Sequence, residues 1–234
     1  MKLHVLNNGF FTLDKSFLIY GKYQGSLYQA ALKPMLIITE KEKILVDTGV
    51  GELPSQYQKF YPITQKPEET MEKQLQMHSV SPRDIDIVVN THLHFDHCGN
   101  NALFPHAKFY VQADELRYAY APDRFQQAAY MRELFDLKNI DYVPIKGKYW
   151  LNDNVLLVPT PGHTVGHQSV LVKTEGKNYV YCGDAAPLRE NLEKRNIPGM
   201  LYQSDKALYS IDKLRNIKKA HYIFSHDNEQ TTLP

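Results

Sequence analysis

The sequence predicts an α/β protein in which two mixed β-sheets pack face to face and helices cover their outer faces. Short β-branched segments alternate with segments of helical periodicity along the 234-residue chain. Residue types that bind metal ions also follow the ends of several of these strands. A chain of this length can bury a sizeable core, and we predict one domain that spans residues 1–234.

The first half of the chain contains a predicted hairpin, a helix and two strands. Residues 36–39 and 44–46 predict the hairpin, because four charged residues separate two apolar runs. A helix is predicted over 67–78, since Pro67 suits the first helical position and acids follow it. Residues 85–90 and 109–111 predict short strands, the first of them buried.

Two helices rich in aromatic residues are predicted next, at 113–120 and 123–137. Apolar residues of the second helix recur at helical spacing, at Phe125, Ala128, Met131 and Phe135. This pattern is typical of core packing, and the alternative is a cap over the acyl end of a substrate. The segment 20–28, rich in tyrosine and glycine, predicts a loop that borders the active site.

The second half of the chain predicts four more strands and one helix. The strands are expected at 155–158, 168–172, 178–181 and 222–225. Ser204 or Asp205 can cap a helix with one apolar stripe. The stripe consists of Leu208, Ile211, Leu214 and Ile217.

The chemistry of the chain is concentrated in metal-ligand residue types. His92 and His94 are two apart in an extended segment, so both can face one ion. Asp96 and His97 are adjacent and need a turn to face a second ion, which the following glycine permits. Five histidines and two aspartates exceed the four ligands of a usual structural zinc site, which predicts two metal ions. The ligand candidates are His92, His94, Asp96, His97, His163, Asp184 and His226.

These motifs resemble those of the metallo-β-lactamase superfamily over nearly the whole chain. The string His-x-His-x-Asp-His at 92–97 precedes an isolated His, Asp and His, and Asp-Thr-Gly stands at 47–49. Within the superfamily, residues 92–99 and 161–169 are most similar to N-acyl-homoserine lactonases. The resemblance implies the αββα sandwich of that superfamily.

The resemblance also implies how the ligands divide. The first ion is expected at His92, His94 and His163, and the second ion at Asp96, His97 and His226, with Asp184 bridging them. Asp47 is expected to orient a ligand histidine, and His167 to be structural. Asp96 and Asp184 are the candidates for catalytic proton transfer. Zn²⁺ is the favoured metal, with Fe, Mn and Co left open.

The implied activity is hydrolysis of a small-molecule lactone or ester by a hydroxide held between two metal ions, as in a quorum-quenching lactonase. One position departs from that family. Acyl-homoserine lactonases typically place a tyrosine three residues after the bridging aspartate, where this chain has Pro187, which has no hydroxyl group. Tyr202 is a candidate replacement. The alternatives are a thioesterase, a phosphodiesterase, or an iron-dependent redox or sulfur enzyme.

Composition excludes several other classes. Net charge is +1 without a basic run, which argues against a nucleic-acid partner. No apolar stretch approaches the roughly 20 residues that span a membrane. The two cysteines, Cys98 and Cys182, are expected to be buried and reduced, which favours the cytoplasm. The protein is expected to be a monomer or homodimer. The other histidines are expected on the surface or in packing, namely His4, His78, His106 and His221.

Overall fold

The computed structural model describes residues 1–233, and its largest sheet has six strands. Three antiparallel strands form one side of this first sheet, and the four strands from the third onward are parallel. In spatial order the strands are Lys2–Val5, Met35–Ile38, Lys43–Val46, Ile87–Val89, Lys108–Gln112 and Asp141–Ile145. The predicted hairpin and the predicted strands before and after the metal-ligand string are confirmed.

A second sheet of five strands is antiparallel except for its last pair. Its strands are Tyr149–Trp150, Val155–Pro159, Gln168–Lys173, Asn178–Tyr181 and Ala220–Ile223. Both large sheets are therefore mixed, as predicted. A third, antiparallel sheet was not predicted, and it consists of Leu27–Ala31, Phe10–Asp14 and Ile63–Thr64.

The two large sheets share one apolar core. Val46 and Val89 of the first sheet belong to the same buried cluster as Leu157 and Val170 of the second. The opposite face of the first sheet packs on the helix Met71–Gln76. Each fully buried aliphatic side chain of this kind contributes roughly 1.5–3 kcal/mol relative to exposure.

The outer face of the second sheet packs on helices as well. Leu171 and Val180 contact the buried stripe of the helix Ser204–Arg215, which includes Ile211 and Leu214. With helices on both outer faces, the layers follow the predicted αββα order. The helix begins one residue after Gln203, so neither Ser204 nor Asp205 is its N-cap.

The helices are short. The α-helices are Ser55–Gln58, Met71–Gln76, Phe95–Cys98, Ala113–Tyr120, Arg132–Phe135, Arg189–Glu193 and Ser204–Arg215. The 3₁₀-helices are Lys15–Phe17, Pro67–Glu69, Pro82–Asp84, Asn101–Leu103, Gln127–Ala129 and Gly183–Ala185. Within residues 1–233, no helix combines the length and apolar character that crossing a membrane requires.

The predicted helix 67–78 is interrupted at Thr70, whose backbone is extended (ψ 150°). The cause is Glu69, which is buried and accepts hydrogen bonds from the Lys66 backbone N–H (2.7 Å) and the Asn7 amide (3.1 Å). These bonds close the 3₁₀ turn Pro67–Glu69, and a new helix starts after Thr70.

The prediction of one helix over 123–137 was wrong. Only Gln127–Ala129 and Arg132–Phe135 are helical, and Tyr130 and Met131 between them are extended (ψ 93° and 103°). The side chain of Tyr130 is buried and its hydroxyl donates to Glu115 (2.8 Å). Tertiary contacts of this segment therefore override its helical periodicity.

Candidate metal centre

The structure brings all seven predicted ligands together at strand ends. His92 and His94 lie in the loop after the strand Ile87–Val89, and the short helix Phe95–Cys98 supplies the turn that Asp96 and His97 need. The other three ligands follow strands of the second sheet. They are His163, Asp184 and His226.

The ligand atoms form groups of the size that a metal ion requires. We call His92, His94 and His163 the first site, and Asp96, His97 and His226 the second site. Within each site the ligand atoms lie within 4.8 Å of one another, and His92, His97 and Asp184 form a third such group.

The shortest distances match ligand spacing around one ion. His94 Nδ1 lies 3.1 Å from His163 Nε2, and His97 Nε2 lies 3.3 Å from His226 Nε2. A tetrahedral zinc ion with Zn–N bonds of about 2.0–2.1 Å separates its nitrogens by about 3.3 Å. Asp184 stands between the sites, with Oδ1 3.2 Å from His226 Nε2 and Oδ2 3.5 Å from His163 Nε2.

Hydrogen bonds of the outer ring nitrogens orient these histidines toward the centre. His163 Nδ1 is 2.7 Å from the Met200 carbonyl oxygen, and His226 Nδ1 is 2.8 Å from that of Ala31. A carbonyl only accepts, so both Nδ1 atoms carry a proton, and in the neutral rings both Nε2 atoms present a lone pair. The Nε2 atoms of His92 and His94 are buried without any hydrogen-bond partner.

Asp47 supports the centre through contacts with Thr91 and with the ligand candidate His97. Its buried carboxylate accepts from the Thr91 backbone N–H (2.7 Å) and hydroxyl (2.8 Å), and lies 2.8 Å from His97 Nδ1. The Thr91 hydroxyl in turn lies 3.1 Å from His92 Nδ1. Asp47 adopts a left-handed backbone (φ 58°), which is uncommon outside glycine, although aspartate tolerates it. Such conformations concentrate at functional sites.

His167 positions Asp184. The Asp184 backbone N–H donates to His167 Nε2 (2.9 Å), while His167 Nδ1 is 2.9 Å from the Thr160 hydroxyl. Burial lowers the pKa of His167 to about 3, so it stays neutral and keeps an acceptor for that N–H. Both ring nitrogens of His167 are thus occupied, and the ring has no free atom for a metal ion.

The pKa shifts of the ligand candidates describe the charge of the centre. Burial, together with neighbouring histidines, lowers the pKa of His92 and His94 well below its usual value. Burial also opposes protonation of His97, but the carboxylates of Asp184 and Asp96 outweigh it and raise its pKa well above the usual range. The pKa of Asp184 is held well below its usual value, because His226 and His97 offset the cost of burial.

The donor set fits two divalent ions such as Zn²⁺. Imidazole nitrogens and carboxylate oxygens converge, and the inner Nε2 atom of His92 is buried without a hydrogen-bond partner. Buried unpaired acceptors of this kind are costly unless a cation occupies the space between them.

An apolar cleft of about 480 Å³ opens onto this centre. His94, Asp96, His163, Asp184 and His226 contribute to its lining. Its apolar lining includes Phe11, Phe17, Phe60, Phe95, Phe125 and Met200. The segment 11–18, not the predicted loop 20–28, supplies the N-terminal wall of the cleft.

Tyr202, the candidate replacement for the lactonase tyrosine, does not line this cleft. Tyr202 packs edge-on to Tyr118 (ring centroids 5.3 Å apart) and stacks on Phe125 (6.3 Å). Tyr61 does line the cleft, and its hydroxyl donates to the Ala128 carbonyl (2.8 Å).

The positions of the remaining histidines and of both cysteines agree with the predictions from the sequence. Cys98 and Cys182 are buried and free. His106 is exposed, His221 is half-buried, and His4 stacks on His78 with ring centroids 3.9 Å apart.

Two residues of the centre were missed from the sequence. Glu115 is fully buried and accepts four hydrogen bonds from segments that flank the ligands. Gln126 is buried and donates to the His163 carbonyl (2.8 Å). Acids in a first helical turn are common, so the position of Glu115 gave no signal of burial.

The chain belongs to the metallo-β-lactamase superfamily. The family model of that description matches residues 34–226, most of the chain. The predicted resemblance is thereby confirmed.

Among proteins of this superfamily, the chain is similar to lactonases. It is 31% identical to an N-acyl homoserine lactonase of Bacillus cereus, over 98% of this chain and 94% of the relative. An N-acyl homoserine lactone hydrolase solved with N-hexanoyl-L-homoserine at its catalytic metal centre superposes with a TM-score of 0.87. It is 30% identical, over 98% of this chain and 94% of that one. A Bacillus thuringiensis AiiA variant with bound N-decanoyl-L-homoserine gives a TM-score of 0.86 at 29% identity, with the same coverage.

A probable metallo-hydrolase of Methanocaldococcus jannaschii is 36% identical, over 60% of this chain and 57% of the relative. The likeness to the lactonases is therefore more extensive, because it covers nearly the whole length of both proteins.

Proposed function

We propose that this protein is a two-metal hydrolase that opens the ring of N-acyl-homoserine lactones. The observation that carries the proposal is the convergence of seven ligands beside an apolar cleft. The lactonases described above, similar over 98% of this chain, support the choice of substrate.

The distances support the ligand roles proposed here. One divalent ion would be held by His92, His94 and His163. The other ion would be held by Asp96, His97 and His226. Asp184 would contribute to both sites. Two such ions supply Lewis acidity for a carbonyl group and lower the pKa of water so that hydroxide is available near neutral pH.

The protein groups prepare this chemistry. The Asp184 carboxylate would be shared by the two ions, and the Ser225 hydroxyl (2.7 Å from Oδ1) orients this carboxylate. Asp96 belongs to the second site and also lines the cleft, so its carboxylate can accept a proton there and pass it to a leaving alkoxide. The phenylalanines of the cleft exclude water from one side of the centre, which strengthens electrostatic interactions inside it.

The cleft suits a substrate with an apolar tail. Phe11 and Phe95 meet edge to face (5.4 Å), and Tyr61 packs on Phe95 (4.6 Å) beside the ligand Asp96. An acyl chain that covers these rings gains roughly 0.8 kcal/mol per buried methylene group.

Tyr61 is the residue that we propose for contact with the substrate carbonyl. The lactonase tyrosine has no counterpart at Pro187, and Tyr61 is the tyrosine in the lining of the cleft. Release of its bond to Ala128 would free the hydroxyl to donate toward the substrate.

The remaining properties are proposed from the ligand types, the cysteines and the charge of the chain. The metal is proposed to be Zn²⁺, because histidine and carboxylate ligands at these distances suit it. A cytoplasmic setting is proposed from the two free, buried cysteines. One domain over 1–234, a monomeric or homodimeric state, and no nucleic-acid or membrane partner complete the proposal.

A substrate panel tests the activity. Protein loaded with zinc is expected to open N-hexanoyl- and N-decanoyl-homoserine lactone, and to act more slowly on simple aryl esters. Glutathione thioesters, phosphodiesters and persulfides form the other arms of the panel. Turnover confined to one of those arms would replace the lactonase assignment with a thioesterase, a phosphodiesterase or a sulfur enzyme.

A further inference from the structure

Glu115 is a carboxylate with no contact to solvent, and it lies beside the first site. Its exposure is 0%, and each carboxylate oxygen accepts two hydrogen bonds. Oε1 accepts from the Leu93 backbone N–H (3.1 Å) and the Tyr130 hydroxyl (2.8 Å). Oε2 accepts from the Thr164 hydroxyl (2.7 Å) and the Gly166 backbone N–H (3.0 Å).

Three of these four partners adjoin a ligand of the first site. Leu93 stands between His92 and His94 in the chain, and Thr164 follows His163. The ring of Tyr130 packs edge-on to the ring of His94, with centroids 4.6 Å apart and planes at 75°. The same carboxylate therefore touches a neighbour of every histidine of the first site.

The two loops joined by Glu115 come from different sheets. The loop with Leu93 follows the first-sheet strand Ile87–Val89, and the loop with Thr164 and Gly166 follows the second-sheet strand Val155–Pro159. Gly166 lies so close that a Cβ atom there would come within 2.3 Å of the Glu115 backbone nitrogen. Glu115 thus sets the separation of the loops that carry the three ligands.

The hydrogen-bond pattern favours an ionised carboxylate. Two partners are backbone N–H groups that can only donate, and two hydroxyls complete four donors to two oxygens. Glu115 also lies in the first turn of the helix Ala113–Tyr120, where the helix dipole favours negative charge. Burial raises its pKa above the usual value, while all four hydrogen bonds act to lower it.

The two sites differ in the charge of their ligands. The second site includes Asp96 in addition to the shared Asp184, whereas the first site has three neutral imidazoles and the shared carboxylate. A buried anion next to the first site offsets this deficit, because Coulomb interactions are strong where water is excluded.

We propose that Glu115 is a positioning residue that selectively supports the first metal site, by clamping its two loops and supplying a buried counter-charge. This inference rests on the two-metal site of the proposed function. It assigns to one non-ligating residue a share of the metal affinity of the first site.

The test is zinc affinity of Glu115→Gln, measured by chelator competition on the full chain. The amide keeps the shape but replaces one acceptor oxygen with an N–H₂ group, so the backbone N–H group that faces this position loses its acceptor. We expect the first site to bind zinc about 10- to 100-fold more weakly, as for other residues that orient metal ligands. Anomalous diffraction at limiting zinc identifies which site loses occupancy.

Asp114→Asn is the matched control, because it makes the same chemical change one residue away on a side chain that is 59% exposed. It is expected to bind zinc as the wild type does at both sites. Should Glu115→Gln fail to fold, Thr164→Val and Tyr130→Phe each remove one hydroxyl partner and keep the packing. Each is expected to weaken the first site several-fold.

Equal loss at both sites, with a lower unfolding temperature of the metal-free protein, would show general structural support and overturn the inference. Unchanged affinity at the first site would also overturn it. Because the readout is metal binding, a protein that binds zinc in this pattern yet opens no lactone would refute only the proposed activity.

Discussion

Replacement of Asp184 by asparagine has consequences that the geometry specifies in advance. Ser225 donates to Oδ1 (2.7 Å), so the asparagine carbonyl oxygen is expected at Oδ1 and its amide nitrogen at Oδ2. Oδ2 is the atom that faces His163 of the first site, at 3.5 Å from its Nε2. An amide nitrogen has no lone pair for a cation. Asp184→Asn should therefore remove a ligand from the first site and leave an oxygen for the second.

The magnitude follows from the loss of both a ligand and a charge. Removal of groups that merely orient metal ligands costs about 10- to 100-fold in affinity, so loss of a bridging carboxylate should cost at least that much at the first site. Loss of one electrostatic group in an active site typically costs about 10²–10³ in rate. We expect lactone hydrolysis to fall by at least about 10²-fold.

Metal content and rate are measured on the same preparation. Zinc per chain after dialysis should fall from about two to about one, and a pH indicator follows the acid released by ring opening. Two tightly bound zinc ions together with a near-normal kcat would refute the bridging role of Asp184.

Three further perturbations have defined outcomes. Tyr61→Phe removes the tyrosine hydroxyl from the cleft lining, and loss of one hydrogen bond (about 0.5–1.5 kcal/mol) should lower kcat/KM two- to tenfold with zinc content unchanged. An unchanged kcat/KM would exclude Tyr61 from the carbonyl contact. Carboxylates raise the pKa of His97 and His226 above the usual value, so the metal-free protein retains protons there that zinc must displace. Zinc affinity should consequently rise with pH, and calorimetry in buffers of different ionisation enthalpy should detect released protons; zero release near neutral pH would contradict this. Leu157→Ala, in the fully buried core between the sheets, should lower the free energy of unfolding by about 2–5 kcal/mol in urea titrations. A loss under 1 kcal/mol would mean that the sheets do not share this core.

Much of the fold could be predicted because its sheets are built from continuous local patterns. Val155–Pro159 and Gln168–Lys173 are short runs of β-branched and apolar residues, and pattern alone identifies them. The third sheet could not be predicted this way. Its strand Phe10–Asp14 is half-buried throughout and lacks a strict alternation, and Ile63–Thr64 has only two residues.

The helical errors have a common physical origin. The segment 123–137 has helical spacing, but its extended residues Tyr130 and Met131 are fixed by contacts with distant residues. Thr70 is likewise extended because Glu69 caps a turn and bonds to Asn7, 62 residues away. Periodicity cannot report such long-range bonds.

The candidate metal ligands could be predicted from the sequence because coordination chemistry restricts their residue types and spacing. The residues that support them could not be predicted, with Asp47 and His167 as the exceptions. Glu115 and Gln126 look like ordinary polar residues of the two predicted helices. Only the folded chain shows that both are buried against the loops of the first site.

We propose that lactone opening depends on two metal ions held by this chain, and a zinc titration tests this dependence directly. Metal-free protein is titrated with zinc while opening of N-hexanoyl-homoserine lactone is followed in the same cuvette. Our account predicts little hydrolysis with the first equivalent, a steep rise as the second binds, and a plateau at two ions per chain. Protein that holds two zinc ions and leaves the lactone intact would contradict it.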